Sequence, residues 1–350
     1  MRYCYQNEND LHLKPSEWNK NSGKEVLQYA VGSLLYMPAT TTKIAKEIIQ
    51  KRYPHLKAMT LCLEDSIGDD MVGKAELSVK EIAKTLKKAI DSGEITVNDL
   101  PLIFIRVRKP GHMKHMAELL GDRMSVITGF VIPKFDRTNC KEYRDEFVEI
   151  ATNLPDKIYM MPIIESRNAM FCQLRDENLI YVNDCLKPIA DYVLNVRVGA
   201  ADFCNIYGIR RGIDSTLHDI RVVANCLSDI INVFERNYVV SSGVWEYFGD
   251  GYDQAWDIGL RRELKLDRLN GFIGKTAIHP IQLPVIQESL IVTYEQYMDA
   301  LNIMGMSTDL VGVTKGYGGN KMNEAKTHGN WARKILCLAS IYGVKKEGVK

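Results

Sequence analysis

Eight short apolar runs alternate with amphipathic stretches through most of this 350-residue chain, and that alternation restricts its fold more than any other feature. The runs cover residues 33–38, 59–65, 102–107, 126–133, 157–165, 193–202, 238–242 and 271–279. Their length and turn-like flanks mark buried strands. The stretches at 41–53, 74–90, 112–120, 139–151 and 215–234 space apolar residues as helices do, with Ser215 or Thr216 at an N-cap. Strands alternating with helices imply a parallel sheet joined by right-handed crossovers. A closed (β/α)8 barrel and an open doubly wound sheet both satisfy this pattern. No GxGxxG turn follows the first strand, which weakens a dinucleotide-binding open sheet. The expected fold is therefore an α/β barrel with a C-terminal helical extension.

Residues 1–30 read as a polar leader, 31–292 as the barrel and 293–350 as the extension. Within the extension, helices are expected over 293–304 and 323–342, around a glycine-rich loop at 311–319. The extension follows the eighth strand, so the barrel closes without it. It packs either on its own barrel or on a neighbouring subunit. The basic end, 345–350, is expected to be solvated and frayed.

A net charge of +1 gives no support for nucleic-acid binding through bulk charge. The eight cysteines form no CxxC pair, which leaves a zinc site unsupported and fits a reduced cytoplasmic compartment. The polar N-terminus has no signal-peptide core, and no apolar stretch is long enough to span a bilayer.

The chemistry centres on Glu165 and Asp202, which close the fifth and sixth runs. Neighbouring strands of a β/α barrel deliver side chains to one rim, where active sites sit. Two carboxylates there, with room for water and substrate, suit a hard cation such as Mg2+, with Mn2+ as a substitute. Two strand-end acids taken alone are more often structural. Glu64 and Asp65 close the second run and either support a metal-bound water or cap the next helix. Lys134 ends the fourth run and either binds an anion or pairs with an acid. His279, before Pro280, is an acid, a base or a substrate ligand, or it orders its loop by hydrogen bonds, the preferred reading. Ser241, Ser242 and Trp245 are expected to shape the pocket. No Ser/His/Asp order is persuasive, which disfavours nucleophilic hydrolysis.

Seven strings occur in a telling order: Ser33-Leu-Leu-Tyr-Met-Pro38, Leu61-Cys-Leu-Glu-Asp65, Arg106-Val-Arg108, Gly129-Phe-Val-Ile-Pro-Lys134, Pro162-Ile-Ile-Glu165, Gly199-Ala-Ala-Asp202 and Gly274-Lys-Thr-Ala-Ile-His-Pro280. Together they resemble the citrate lyase β-subunit family within the HpcH/HpaI aldolase superfamily. The likeness is strongest to the C–C bond lyase-like TIM barrels of bacterial tellurite-resistance and stress-response gene clusters. It implies a Mg2+ held by Glu165 and Asp202, and a substrate oxygen contacted by Arg106. It also matches the string Met322-Asn323-Glu324 to a C-terminal catalytic acid that often serves a neighbouring subunit. Three departures stand out: Val31-Gly32 where a basic residue is common, Ala39 where glycine is common, and Glu324 for aspartate. They spare the metal site and weaken the expectation of a coenzyme A thioester.

The resemblance implies a metal-dependent carbon–carbon lyase or aldolase. Its substrate is expected to be a small α-hydroxy or α-keto carboxylic acid, or its thioester, cleaved through an enolate in a homo-oligomer. Arg106 suits the oxyanion role because it stays charged and carries a planar donor fork; its structural alternative is a rim arginine paired with Glu64 or Asp65. Two rivals remain. One is a pyruvate- or phosphoenolpyruvate-type barrel enzyme making another bond change. The other is a non-catalytic metal-binding subunit of a stress-response complex.

Overall fold

A computed structural model describes residues 1–5, 7–306 and 312–349. The chain forms two units, one of residues 19–286 with Met1, the other of residues 2–18 with 287–350. The first unit holds eight strands: β1 (Ser33–Pro38), β2 (Ala58–Cys62), β3 (Leu102–Arg106), β4 (Gly129–Ile132), β5 (Tyr159–Ile164), β6 (Val196–Val198), β7 (Val240–Ser241) and β8 (Lys275–Ala277). From β1 to β7 each pairs in parallel with the next, and β8 pairs with β1. A parallel bridge between Ser242 and Lys275 joins β7 to β8 and completes the ring. The fold is a (β/α)8 barrel.

Beyond β1, the strands are shorter than the apolar runs that announce them, because residues outside the paired segment turn into loops. The sixth run shows why. Val196–Val198 is extended, but Gly199 breaks the strand and a helix, Ala200–Ile206, begins at once. Asp202 therefore does not close a strand, as the run over 193–202 suggests; it stands in the first turn of that helix. The helix read over 215–234 also divides. Thr216 closes a capping box with Asp219, and the α-helix proper is Arg221–Phe234.

Apolar side chains bind helices to the outside of the barrel. Helix Val72–Asp91 turns Ala75, Val79, Ile82, Ala83 and Leu86 inward, three or four residues apart. They join Leu35, Met59, Leu61, Ile103 and Ile105 from the outward faces of β1, β2 and β3 in one cluster. Each fully buried aliphatic side chain there contributes ~1.5–3 kcal/mol. The alternate residues face the barrel axis. Tyr36 pairs with Thr60, and Leu34 with Thr276, on adjacent strands. Arg197 of β6 reaches past β7 to the Thr276 hydroxyl at 2.9 Å, so it too lies across the interior. This interior is more polar than the branched aliphatic layers usual in such barrels.

A helix that the sequence reading passed over, Ala255–Leu269, lies between β7 and β8. It brings Glu263 and Asp267 to the buried Lys275 ammonium at 2.7 and 2.8 Å. Ser242 accepts a further hydrogen bond from Lys275 at 3.1 Å. Ser241 donates to the Ile273 carbonyl at 2.7 Å. Trp245 is fully buried, with the Arg211 guanidinium over its ring. The serines and the tryptophan expected to shape a pocket thus bind the closing seam of the barrel.

In the second unit, helices Tyr294–Gly305 and Ala325–Tyr342 pack together, the first capped by Thr293 and Gln296. The glycine-rich segment expected as a loop carries one strand of a hairpin. Val313–Lys315 pairs antiparallel with Met322–Glu324, and Gly319, at φ +70°, closes the turn. Val311 lies outside the described residues. The Asp299 carboxylate fastens this hairpin by accepting from the Tyr317 N–H at 2.7 Å and the Asn323 amide at 3.0 Å. The tail is not free from residue 345 onward: Val344–Lys345 pairs with Leu11–Leu13 near the N-terminus. Among the described residues, no helix is long and apolar enough to cross a membrane.

Candidate active site

Six of the residues singled out from the sequence meet in one cluster at the C-terminal rim. Glu64 and Asp65 follow β2, Arg106 ends β3, Lys134 follows β4, Glu165 follows β5 and Asp202 follows β6. Arg106 is the hub. Its Nη2 lies 2.9 Å from Glu64, 3.1 Å from Asp65 and 3.1 Å from Glu165. One nitrogen with two hydrogens cannot satisfy three carboxylates at once. Its buried Nε has no hydrogen-bond partner among the described residues. Lys134 Nζ closes the other side of the acid pair, bonding Glu64 and lying 3.3 Å from Asp65.

Glu165 is held by the main chain as well. The Lys134 N–H donates to its Oε1 at 2.9 Å. Lys134 adopts φ +48°, a left-handed conformation that few non-glycine residues take. Such strain costs ~1–3 kcal/mol and gathers at functional sites. On the opposite side, Gly199 leaves the space that Glu165 occupies.

The carboxyls of Glu165 and Asp202 lie within hydrogen-bonding reach of each other. Burial pushes Glu165 up to about 8; Arg106 opposes that rise and the Asp202 charge adds to it. Asp202 is raised too, by burial first and then by the Asp65 charge. Burial and the hydrogen bond with Asp65 raise Glu64. Burial opposes the ionisation of Asp65, yet Glu64, Arg106 and Lys134 outweigh it and hold Asp65 low. Two like charges in a dry site favour a proton or a cation between them. Among the described residues, no three His, Cys, Asp or Glu side chains come together as a metal-holding set. A cation here would rest on a carboxylate pair and fill its shell with water and substrate oxygens, which is the habit of Mg2+. The residues present fit that group.

His279 and Glu324 make contacts of their own. His279 stacks on Phe248, with ring centroids 4.5 Å apart and planes 4° from parallel. Its Nδ1 accepts from the Ile281 N–H at 3.3 Å, within its own loop. Glu324 belongs to the second unit, where its Oε2 accepts from the Thr327 hydroxyl at 2.7 Å. The sequence reading missed two residues beneath the rim, Tyr36 and Arg197. The signal available was a charged residue within an otherwise apolar strand, Val196–Val198.

The fold is a (β/α)8 barrel, and its rim gathers carboxylates around an arginine. The chain belongs to the C–C bond lyase family of the TIM-barrel fold, whose model matches residues 25–344. CitE from Mycobacterium tuberculosis, solved in complex with magnesium, acetoacetate and coenzyme A, is similar in fold. It is 17% identical at a TM-score of 0.56, with 89% of this chain and 99% of that one covered. RipC from Yersinia pestis is also 17% identical, at a TM-score of 0.50, with 75% and 95% covered. No curated protein matches the chain. The family match and these structures speak to the lyase barrel and say nothing of tellurite resistance or stress response.

Proposed function

We propose that this protein is a Mg2+-dependent carbon–carbon lyase that acts on a small α-hydroxy or α-keto carboxylic acid through an enolate. The observation that carries the reading is the Glu165–Asp202 pair, facing each other beside Arg106 at the catalytic end of the barrel. Glu165 and Asp202 would hold the cation. When bound, it acts as a Lewis acid on the reacting oxygens. Arg106 keeps its charge, because the carboxylates around it outweigh its burial. Its guanidinium is the proposed donor to a developing oxyanion. Lys134 fixes Glu64 and Asp65 in place, and through them the orientation of Arg106. The free acid is the preferred substrate form; the mycobacterial complex keeps a coenzyme A thioester as the second form to assay.

Glu324 is the candidate acid or base for the proton that cleavage moves. In this reading the protein is a homo-oligomer and the segment bearing Glu324 serves an adjacent barrel, a cheap way to exchange an element between protomers.

The test is product formation from a panel of α-hydroxy and α-keto acids and their coenzyme A thioesters, followed by proton NMR with and without Mg2+. Mg2+-dependent cleavage that Glu165→Gln abolishes is the expected result. Mg2+ binding without turnover of any panel member would overturn the lyase reading in favour of a non-catalytic metal-binding subunit.

A further inference from the structure

Arg197 is a cation in the middle of the barrel with no anion beside it. It is 1% exposed. Its Nη2 donates to the Thr276 hydroxyl at 2.9 Å and its Nη1 to the Asn195 side chain at 3.3 Å. Its Nε has no partner. Among the described residues, no carboxylate pairs with it. A guanidinium does not shed its proton inside a protein, so the charge persists where charges are costly unless matched.

The acidic cluster above does not supply the match. Its four carboxylates, Glu64, Asp65, Glu165 and Asp202, face two cations, Arg106 and Lys134. A divalent cation on Glu165 and Asp202 brings the cluster to neutrality and leaves Arg197 unbalanced. One residue connects Arg197 to the mouth. Tyr36 is partly exposed, its phenol interacts with the Arg197 guanidinium, and the Arg106 guanidinium lies 5.9 Å from its ring centroid. The Tyr36 hydroxyl donates to no acceptor among the described residues. On β2, directly opposite Tyr36, the buried Thr60 hydroxyl is likewise unpartnered.

We propose that Tyr36 and Arg197 form an anion-binding floor beneath the metal site. Tyr36 donates a hydrogen bond to a substrate carboxylate that the cation does not hold. Arg197 acts through Tyr36, as a positioning residue that orients the phenol and supplies the positive charge behind it. The substrate then carries two acidic groups, one on the cation and one on the floor. This rests on the proposed Mg2+-dependent reading of the rim.

The probes are lactate and malate, 2-hydroxy acids with one and two carboxylates, titrated by calorimetry into the whole protein with Mg2+. Malate is expected to bind about tenfold or more tightly than lactate, the scale of one hydrogen bond to a charged group. Tyr36→Phe removes only the hydroxyl, and Arg197→Met only the charge and its donors. Both are expected to bring the two affinities together while lactate binding and its Mg2+ dependence stay as they were. A purely structural arginine predicts a lower melting temperature for Arg197→Met; the anion floor predicts an unchanged or higher one, since a costly buried charge has gone. Equal affinities for the two acids in the unaltered protein, or a malate preference that survives Tyr36→Phe, overturns the floor and leaves the metal reading standing. Failure of both acids to bind with Mg2+ overturns the metal reading, and the floor with it.

Discussion

Glu165 and Gly199 fit together with no room for a methyl group. A Cβ at position 199 would stand 2.0 Å from Glu165 Oε2 and 2.5 Å from its Cβ. The φ of Gly199, −95°, is negative, outside the left-handed region that favours glycine. The clash is therefore purely one of space, and it falls on a side chain held on its far side by the Lys134 amide. Gly199→Ala is expected to keep the barrel folded and to push the Glu165 carboxylate out of place. Calorimetric Mg2+ affinity should fall, and an affinity equal to that of the unaltered protein would show that Glu165 does not need its present position.

Glu165→Gln removes one of the two proposed ligand charges. The Mg2+ affinity is expected to drop by at least the ~10–100-fold that loss of even a supporting partner costs. The same variant has a pH signature. Burial raises Glu165 from 4.5 to about 8 in the folded protein. Between those values the native state keeps a proton that the unfolded chain has released, so stability falls as pH rises through the window. Glu165→Gln should flatten that slope in urea titrations run across the range. Mg2+ should displace the same proton, so its affinity in the unaltered protein should rise with pH toward 8, with a proton release visible as a buffer-dependent heat.

Arg106→Lys keeps a charge and loses the fork. Turnover on whichever acid the panel identifies is expected to fall by ~10²-fold or more, the usual loss for one oxyanion donor. Near-normal turnover would leave Arg106 as a brace for Glu64, Asp65 and Glu165 and nothing more.

For Glu324 the measurement is complementation. Glu324→Gln and Glu165→Gln subunits, each inactive alone, are mixed and their co-assembly is checked by native mass spectrometry. Sites shared between subunits should recover part of the activity, because some then carry both intact residues. Mixed oligomers with no recovered activity would place Glu324 outside the neighbour's site.

At the seam, Lys275→Met leaves Glu263 and Asp267 buried without their shared ammonium. Such a broken buried pair costs ~3–5 kcal/mol, so the melting temperature should fall steeply. A small change would mean that Arg211 and His218, which also reach those two carboxylates, suffice to hold them.

Much of the barrel was legible in the chain because buried parallel strands are apolar on both faces and leave unbroken runs. The rim acids were legible for a related reason: Glu64, Asp65, Glu165 and Asp202 interrupt or end those runs. What escaped depends on three-dimensional placement. Nothing local marks Lys134 as left-handed, and the consequence of Gly199 exists only once Glu165 lies against it. The hairpin of Val313–Lys315 and Met322–Glu324 hid in a segment whose glycines suggest a loop, because Asp299 on a distant helix fastens it. Arg197 hid because a strand-borne arginine looks like a surface residue until its strand is known to be central.

The barrel keeps its strength and its polarity in different places. The aliphatic layer outside the strands holds the helices on, while the axis carries Arg197, Tyr36 and Thr60. A laboratory selection for heat resistance alone would reward trading the buried guanidinium for an aliphatic chain. On the anion-floor proposal, its winners would be sturdier cylinders that had forgotten their substrate.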